Sequence, residues 1–543
     1  MNKYWYKNAV IYCLDVETFK DSNGDGIGDF QGLTNGLTYL SSLGVNCLWL
    51  MPFFDSPNKD NGYDVRDYYK VDPRLGDVGH FAQLIDAADE VGIRILIDLA
   101  VNHTSTEHMW FQEARKDKNS KYRDFYIWVD EKPADEGENI MSGGDEEGSN
   151  WEWDEEAGAY YFHTFYTHQP DLNISNQKVQ EEIFRIMQFW LKMGVSGFRI
   201  DAAPHMFNEK GKVDFCKDPH SVFRHFREFV ETQKKDAILL AEVDLPPDEY
   251  EKFFGDEDEM HMLFNFYVNN YMFLSFAREE ATPLADALKK MPQISEEEQM
   301  AIFVRNHDEL NLSKLSDDEQ QEVFEAFAPQ EDMRIFGRGI RRRLASMFNN
   351  DRKKIELAYS LLFTLPGTPV LRYGQEIGMG EDLSMEGRSS VRTVMQWSDD
   401  KNGGFSDAPE DQLIRNIISD GDFSYKKINV NDQHRDHDSL LNWMAHAIKF
   451  RKEFREFGWG DYTVMDSGNK SVLAHCRNSD KGTAIAYHNF SDKEVVVKAK
   501  FEKPDEIVDI FGDERYDAFD PETQEIKLNP YGYRWLHKRK RFL

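Results

Sequence analysis

The sequence predicts an α/β fold: a (β/α)8 barrel with an inserted lobe after its third strand and an all-β domain at its C-terminus. Three observations lead there. Short apolar strands alternate with helical runs over most of the chain, which implies parallel pairing with the helices outside. Three of those strands deliver a carboxylate at the same end. Beyond residue 457 the helical period gives way to short alternating runs.

Taken in order, Ala9 to Leu14 opens the first strand and Leu33 to Leu43 the first helix. The strand Asn46 to Leu50, the helix Gly79 to Val91 and the apolar strand Ile93 to Leu99 follow. After Asn102 the alternation stops, and an aromatic, acidic, Gly-rich segment runs to Asn173. We read residues 103–172 as an inserted domain, with its charge run Asp130 to Glu156 as a solvated face. The barrel resumes with a helix, Val179 to Met193, whose apolar residues Ile183, Ile186, Met187, Trp190 and Leu191 share one face, and with the strand Gly197 to Ile200. Strands five to eight are placed at Ile238, Met262 to Phe266, Ala301, and Pro369 to Tyr373, the number that closure requires. The barrel thus comprises residues 1–102 and 173–456, and residues 457–543 form a β-sandwich. Between strands seven and eight lies an insertion, Asn311 to Lys354, whose arginines Arg341, Arg342 and Arg343 read as ion pairs with an acidic surface. The terminal His537 to Arg541 reads as a solvated tail.

Composition bounds the function. With 543 residues and 40% hydrophobic content the chain supports a large core. A net charge of -33 repels nucleic acid and anionic membrane alike, so a neutral small molecule is the natural partner. Cys13, Cys47, Cys216 and Cys476 lack the spacing of a zinc site or a disulfide framework and read as buried or idle thiols. No apolar run approaches a membrane span and no signal-like segment opens the chain, which places the protein in the cytoplasm. The sequence leaves monomer and homodimer open.

The carboxylates carry the chemistry. Val195 to Ala203 runs through a short strand into Asp201, with Arg199 two residues earlier on the same face. A helix-capping aspartate is the bland alternative on that stretch alone. Two further strands change the odds, Leu239 to Glu242 and Ala301 to Asp308. Barrel enzymes build their sites at this end. Glycosidic bond cleavage needs one carboxylate as nucleophile, one carboxylic acid to protonate the leaving oxygen, and further negative charge for an oxocarbenium-like transition state.

A hard-cation loop stands apart from this set. Asp21 to Asp29 places oxygen side chains at alternate positions with glycines between, and three acids in one turn repel unless a cation joins them. Its ligands would be Asp21, Asn23, Asp25, the Ile27 carbonyl and Asp29, holding a structural Ca2+. Asn102 and Asp171, bracketing the inserted lobe, form a second and weaker candidate.

With these residues in view the chain resembles glycoside hydrolase family 13, the α-amylase superfamily, nearly end to end. Asp98-Leu-Ala-Val-Asn-His103, Gly197-Phe-Arg-Ile-Asp201, Ala241-Glu242 and Asn306-His-Asp308 stand in the order and spacing of that family's signature regions. The resemblance implies Asp201 as nucleophile, Glu242 as general acid/base and Asp308 as the acid that grips the distorted sugar. It also implies that His103 and His307 hold glucose hydroxyls, that Asp64 and Arg199 complete the pocket, and that Tyr63 stacks on the ring. Gln169 and Arg392 belong to the same implied pocket. Within the family, His168 to Asn173, Asn306 to Leu310, Arg341 to Leu344, Asp351 to Glu356 and Leu440 to Trp443 are most similar to the trehalose synthase branch, which interconverts maltose and trehalose. The chain departs from that branch at Glu242-Val-Asp244, where Glu-Ala-Asn is expected, at His205 in place of Tyr, at Arg372 to Gln375, and at Val394 in place of Pro.

Three functions follow: a retaining isomerase or transglucosidase on short α-glucosides, a plain α-glucosidase on the same sugars, and a non-catalytic sugar-binding relative. The first two differ in whether water is excluded while the glucosyl-enzyme waits. The three carboxylates argue against the third.

Overall fold

A computed structural model describes residues 3–133, 148–207, 218 and 220–539. Eight parallel strands close into a barrel: β1 (Ile11–Leu14), β2 (Cys47–Leu50), β3 (Arg94–Leu99), β4 (Gly197–Ile200), β5 (Ile238–Ala241), β6 (Met262–Phe264), β7 (Gln299–Phe303) and β8 (Thr368–Arg372). Each pairs with its sequence neighbours, and β1 closes the ring against β8 with Ile11 opposite Val370. The sixth strand is shorter than expected, because Asn265 caps a helix that starts at Phe266.

The two-residue period of the strands sorts their side chains. On β3, Ile95, Ile97 and Leu99 join the core between strands and helices, while Leu96 packs inside the barrel with Ile11, Trp49, Leu240 and Phe264. Asp98 falls on the inward side by the same period, and the register sets it beside Arg199 of β4. Burying inward charges at this level is what equips one end of the barrel for chemistry.

The surrounding helices form because their ends are satisfied. Helix α1 (Phe30–Leu43) starts at Asp29, whose carboxylate accepts from the Gly32 amide at 2.7 Å. Helix α2 (Val78–Glu90) is capped by Asp77 in the same way. Helix α3 (Gln177–Met193) is capped by Asn176 and ends at Gly194, φ 113°, where a Cβ would lie 2.5 Å from the Ile85 side chain. At Gly197, φ 144°, a Cβ would lie 2.1 Å from the Ile238 carbonyl oxygen, so only glycine lets β4 reach the β5 ladder.

The C-terminal domain holds a five-stranded antiparallel sheet and a two-stranded one. Its strands are β9 (Asp461–Met465), β10 (Val472–Asn478), β11 (Gly482–Asn489), β12 (Val495–Lys498), β13 (Ile507–Gly512), β14 (Glu525–Leu528) and β15 (Tyr533–Arg539). The terminal basic run is therefore no solvated tail as far as Arg539. It ends β15, which lies between β11 and β13, and His537 is buried beside Glu456. The domain docks on helix α4 (Arg352–Thr364) through two buried histidines. His488 Nε2 lies 2.9 Å from Ser360 Oγ, His475 Nε2 lies 3.3 Å from Thr364 Oγ1, and the two rings stack at 5.5 Å.

Two further expectations change, while that for the cysteines agrees with the described residues. Most of the charge run after Asp130 lies outside the described residues, but Asp154 is buried and paired with Arg115 at 2.9 Å. Arg341 to Arg343 do not face an acidic surface. Arg341 donates to the carbonyls of Leu383 and Met385, Arg343 is buried and donates to those of Tyr373 and Val391, and among the described residues only Arg342 of the three forms an ion pair, with Glu381. They strap the segment after β8 to the insertion before it. Of the cysteines, Cys13 and Cys47 are buried and Cys476 is partly so, while Cys216 lies outside the described residues.

Candidate active site

Arg199 is the centre of the charged layer. Its Nη1 donates to Asp98 Oδ1 at 2.8 Å and to Asp201 Oδ1 at 2.5 Å, and its Nη2 donates to Glu242. One guanidinium thus holds both carboxylates whose roles the sequence implies, each from the end of a different strand. Period two explains the convergence: Ile200 and Ala241 face outward, so Asp201 and Glu242, one residue on, turn inward. Ala202 sits at φ 47°, a left-handed position strained for a residue with a Cβ, and from there its amide reaches Glu242 Oε2 at 3.3 Å.

Asp308 is held from the other side. Arg392 Nη2 donates to it at 2.7 Å, and Arg388 Nη1 lies 3.4 Å away. Tyr63 links the halves, donating to Asp98 at 3.0 Å and meeting His307 Nε2 at 3.0 Å. Its ring lies nearly parallel to that of His307.

These surroundings set the proton affinities. Burial pushes the Glu242 carboxyl up to about 7 and that of Asp201 up to about 6, with Arg199 opposing both. Asp308 moves the other way. Burial alone would raise it, but the Arg388 and Arg392 guanidinium groups together hold it well below the carboxylate range. Burial keeps the His307 imidazole neutral.

Asp201, Glu242 and Asp308 line one cavity of about 370 Å³, the scale of a small-molecule site. Tyr63 and His103 line it as well. Arg199, His307 and Arg392 lie behind its wall, acting on the carboxylates in front of them. Two implied pocket residues are displaced. Asp64 is fully buried and accepts from Ser56 and from the amides of Lys59 and Asp60, so it closes its own turn. Gln169 is also fully buried and donates to Asp60 at 2.9 Å. It is Asp60 that reaches the cavity, and burial pushes its carboxyl up to about 6 against Arg388. The sequence reading missed Asp60, Arg388, and the aromatic wall Phe165, Tyr166 and Phe266. Asp60 carries a signal only in retrospect, standing three residues before Tyr63 in the same turn.

The loop expected to hold a cation has an all-oxygen donor set of the kind calcium prefers. Asp21 accepts from the Asn23, Gly24 and Gly26 amides, Asn23 from Asp25, Asp25 from Ile27, and Asp29 caps α1. Among the described residues no group of three acidic, His or Cys side chains converges as a metal cluster. Asn102 and Asp171 do meet, with the amide nitrogen donating to the carboxylate at 3.3 Å.

Comparison with known proteins agrees with this geometry. The catalytic domain of alpha amylases matches residues 13–331 and 335–460, and the C-terminal domain of maltogenic amylases matches residues 462–535. The chain is 42% identical over 478 residues to a trehalose synthase/amylase of Mycolicibacterium smegmatis, covering 87% of this chain and 80% of that protein. It is 42% identical to the trehalose synthase of Thermus thermophilus over 90% of its own length, spanning 51% of that longer protein. The crystal structure of an isomaltulose synthase from Klebsiella superimposes with a TM-score of 0.80 at 25% identity, covering 98% of this chain and 99% of that one. An eight-stranded barrel with carboxylates beyond the C-terminal ends of β4, β5 and β7, matched along nearly all of its length, belongs to the α-amylase family of glycoside hydrolases, family 13.

Proposed function

We propose that the protein is a retaining α-glucoside-active enzyme of trehalose synthase type, acting on short α-glucosides such as maltose and trehalose. The observation that carries this reading is the single Arg199 guanidinium shared by Asp201 and Glu242, which holds two carboxyl groups of unequal proton affinity at one point. The resemblance to trehalose synthases over most of the chain supports the choice of substrate.

In this mechanism Asp201 attacks the anomeric carbon as the glycosidic C–O bond breaks, and Glu242 gives its proton to the departing oxygen. A β-glucosyl ester on Asp201 results. The released glucose turns within the cavity, Glu242 takes the proton from its anomeric hydroxyl, and that oxygen displaces the Asp201 carboxylate. Two inversions restore the α configuration. Asp308 stays ionised beside Arg388 and Arg392, and its negative charge stabilises the oxocarbenium-like transition state. Water reaching the ester gives glucose instead, so hydrolysis is the side reaction.

Incubation with maltose, followed by NMR, tests the reading. Trehalose appearing as the main product, with glucose as the minor one, is expected. Glucose alone would reassign the protein as an α-glucosidase, and no turnover of maltose, trehalose or sucrose would remove the catalytic reading. A structural calcium in the Asp21 to Asp29 loop is a separate proposal, supported by the donor set. Chelation should lower the thermal midpoint and calcium restore it, with no such effect in Asp25→Ala.

A further inference from the structure

The catalytic carboxylates leave one side of the cavity unexplained. Val243 is buried and faces outward, so Asp244 turns to the same side as Glu242 and lines the cavity with it. Asn311 Nδ2 donates to its Oδ2 at 2.8 Å. Lys314 Nζ lies 3.1 Å from Oδ1 and donates to the Asp244 carbonyl at 2.9 Å. Oδ1 is shut off against Lys314, so the accessible oxygen of this carboxylate is Oδ2, which has a lone pair left beyond the Asn311 bond. Leu245 and Phe266 add apolar surface to the same cavity.

We propose that Asp244, oriented by Asn311 and Lys314, is the determinant for the second sugar: its Oδ2 accepts a hydrogen bond from a hydroxyl of the glucose that leaves and then returns. This rests on the transglucosidase reading above. An amide at this position could accept from Asn311 with its oxygen, but its NH2 group would then face the Lys314 ammonium. The ion pair therefore ties the carboxylate to this chain's own loop. A retained hydroxyl contact slows escape of the freed glucose, so it favours return over loss to solvent.

The test compares two substrates. Maltose places a sugar against Asp244, whereas p-nitrophenyl α-glucoside places an aryl group with no hydroxyl contact to lose. In Asp244→Asn, kcat/KM for maltose should fall roughly 10- to 100-fold, the worth of a hydrogen bond to a charged group, and at least tenfold more than for the aryl glucoside. The ratio of new disaccharide to free glucose should fall too. Asn311→Ser, which removes the orienting amide and leaves a hydroxyl to accept from the Ser313 amide, should shift both readouts in the same direction by less. Equal losses on the two substrates, or none, would overturn the assignment. If the unsubstituted enzyme makes glucose only, the transglucosidase reading fails, while the contrast between the two substrates still decides the role of Asp244.

Discussion

The barrel mouth and the seam between helix α4 and the C-terminal sheet both bury titratable groups, by opposite means. At the mouth, Arg199, Arg388 and Arg392 face Asp98, Asp201, Glu242, Asp308 and Glu309, so the charges survive burial through their partners. At the seam, His475 and His488 are buried as neutral rings against hydroxyls. Trp535 Nε1 donates to Ser360 Oγ at 2.8 Å, and His488 Nε2 meets the same oxygen at 2.9 Å, so one hydroxyl joins the ring to the indole. The lesson is one of cost. Ionised groups are retained at the mouth, where chemistry needs charge, whereas at this seam the same fold keeps its two buried histidines uncharged.

Removing the shared cation should break the contrast most sharply. Arg199→Met leaves Asp98, Asp201 and Glu242 without their common partner. Turnover should fall by about 10⁴-fold or more, as for loss of a triad member, with the circular dichroism of the fold retained. A loss below tenfold would mean that the carboxylates do not depend on Arg199.

The seam answers to acid rather than to substrate. Burial lowers His475 to about 3 and His488 well below its ordinary value, so both are depressed relative to the unfolded chain. Above the unfolded value, near 6.5, neither state is protonated and the pair is neutral to stability. As pH falls below it, the unfolded chain binds protons first, and stability is lost progressively toward pH 3. Denaturation midpoints over that window should flatten in a His475→Gln, His488→Gln double variant. An unchanged slope would place the acid sensitivity elsewhere.

Ser360→Ala sharpens the same side with a smaller effect. It strands the Trp535 and His488 nitrogens, costs about 1 to 3 kcal/mol, and should leave kcat for maltose unchanged. A lost kcat with an unchanged midpoint would invert the comparison. The mouth, in turn, should give a bell-shaped kcat/KM profile, because Asp201 must be ionised and Glu242 protonated. Its limbs belong to the coupled pair and should fall near pH 6 on the acid side and pH 7 on the alkaline side. A profile flat through that range would contradict the assigned roles.

What the sequence disclosed follows from the range of the forces involved. Strand ends and their carboxylates were legible because period and position are local, and Asp201, Glu242 and Asp308 meet where the order of strands sends them. Asp60 and Asp64 share a turn, and only the closed turn decides which one reaches the cavity. Gln169 stands in a motif that reads as pocket yet acts on Asp60 from behind. Arg341 to Arg343 and the run at His537 look like surface charge by composition. Arg341 and Arg343 find their partners in carbonyls of a segment after β8, and the run at His537 finds its partner in strand β11, pairings that no local pattern names.

Retention through two inversions requires a covalent glucosyl ester at Asp201. Glu242→Gln, incubated with α-glucosyl fluoride, whose leaving group needs no proton, should accumulate that ester because the base for the second step is missing. Intact-mass spectrometry should show a gain of one anhydroglucose unit that vanishes in the Asp201→Asn, Glu242→Gln double variant. No adduct on Glu242→Gln, or one that persists without the Asp201 carboxylate, would contradict it.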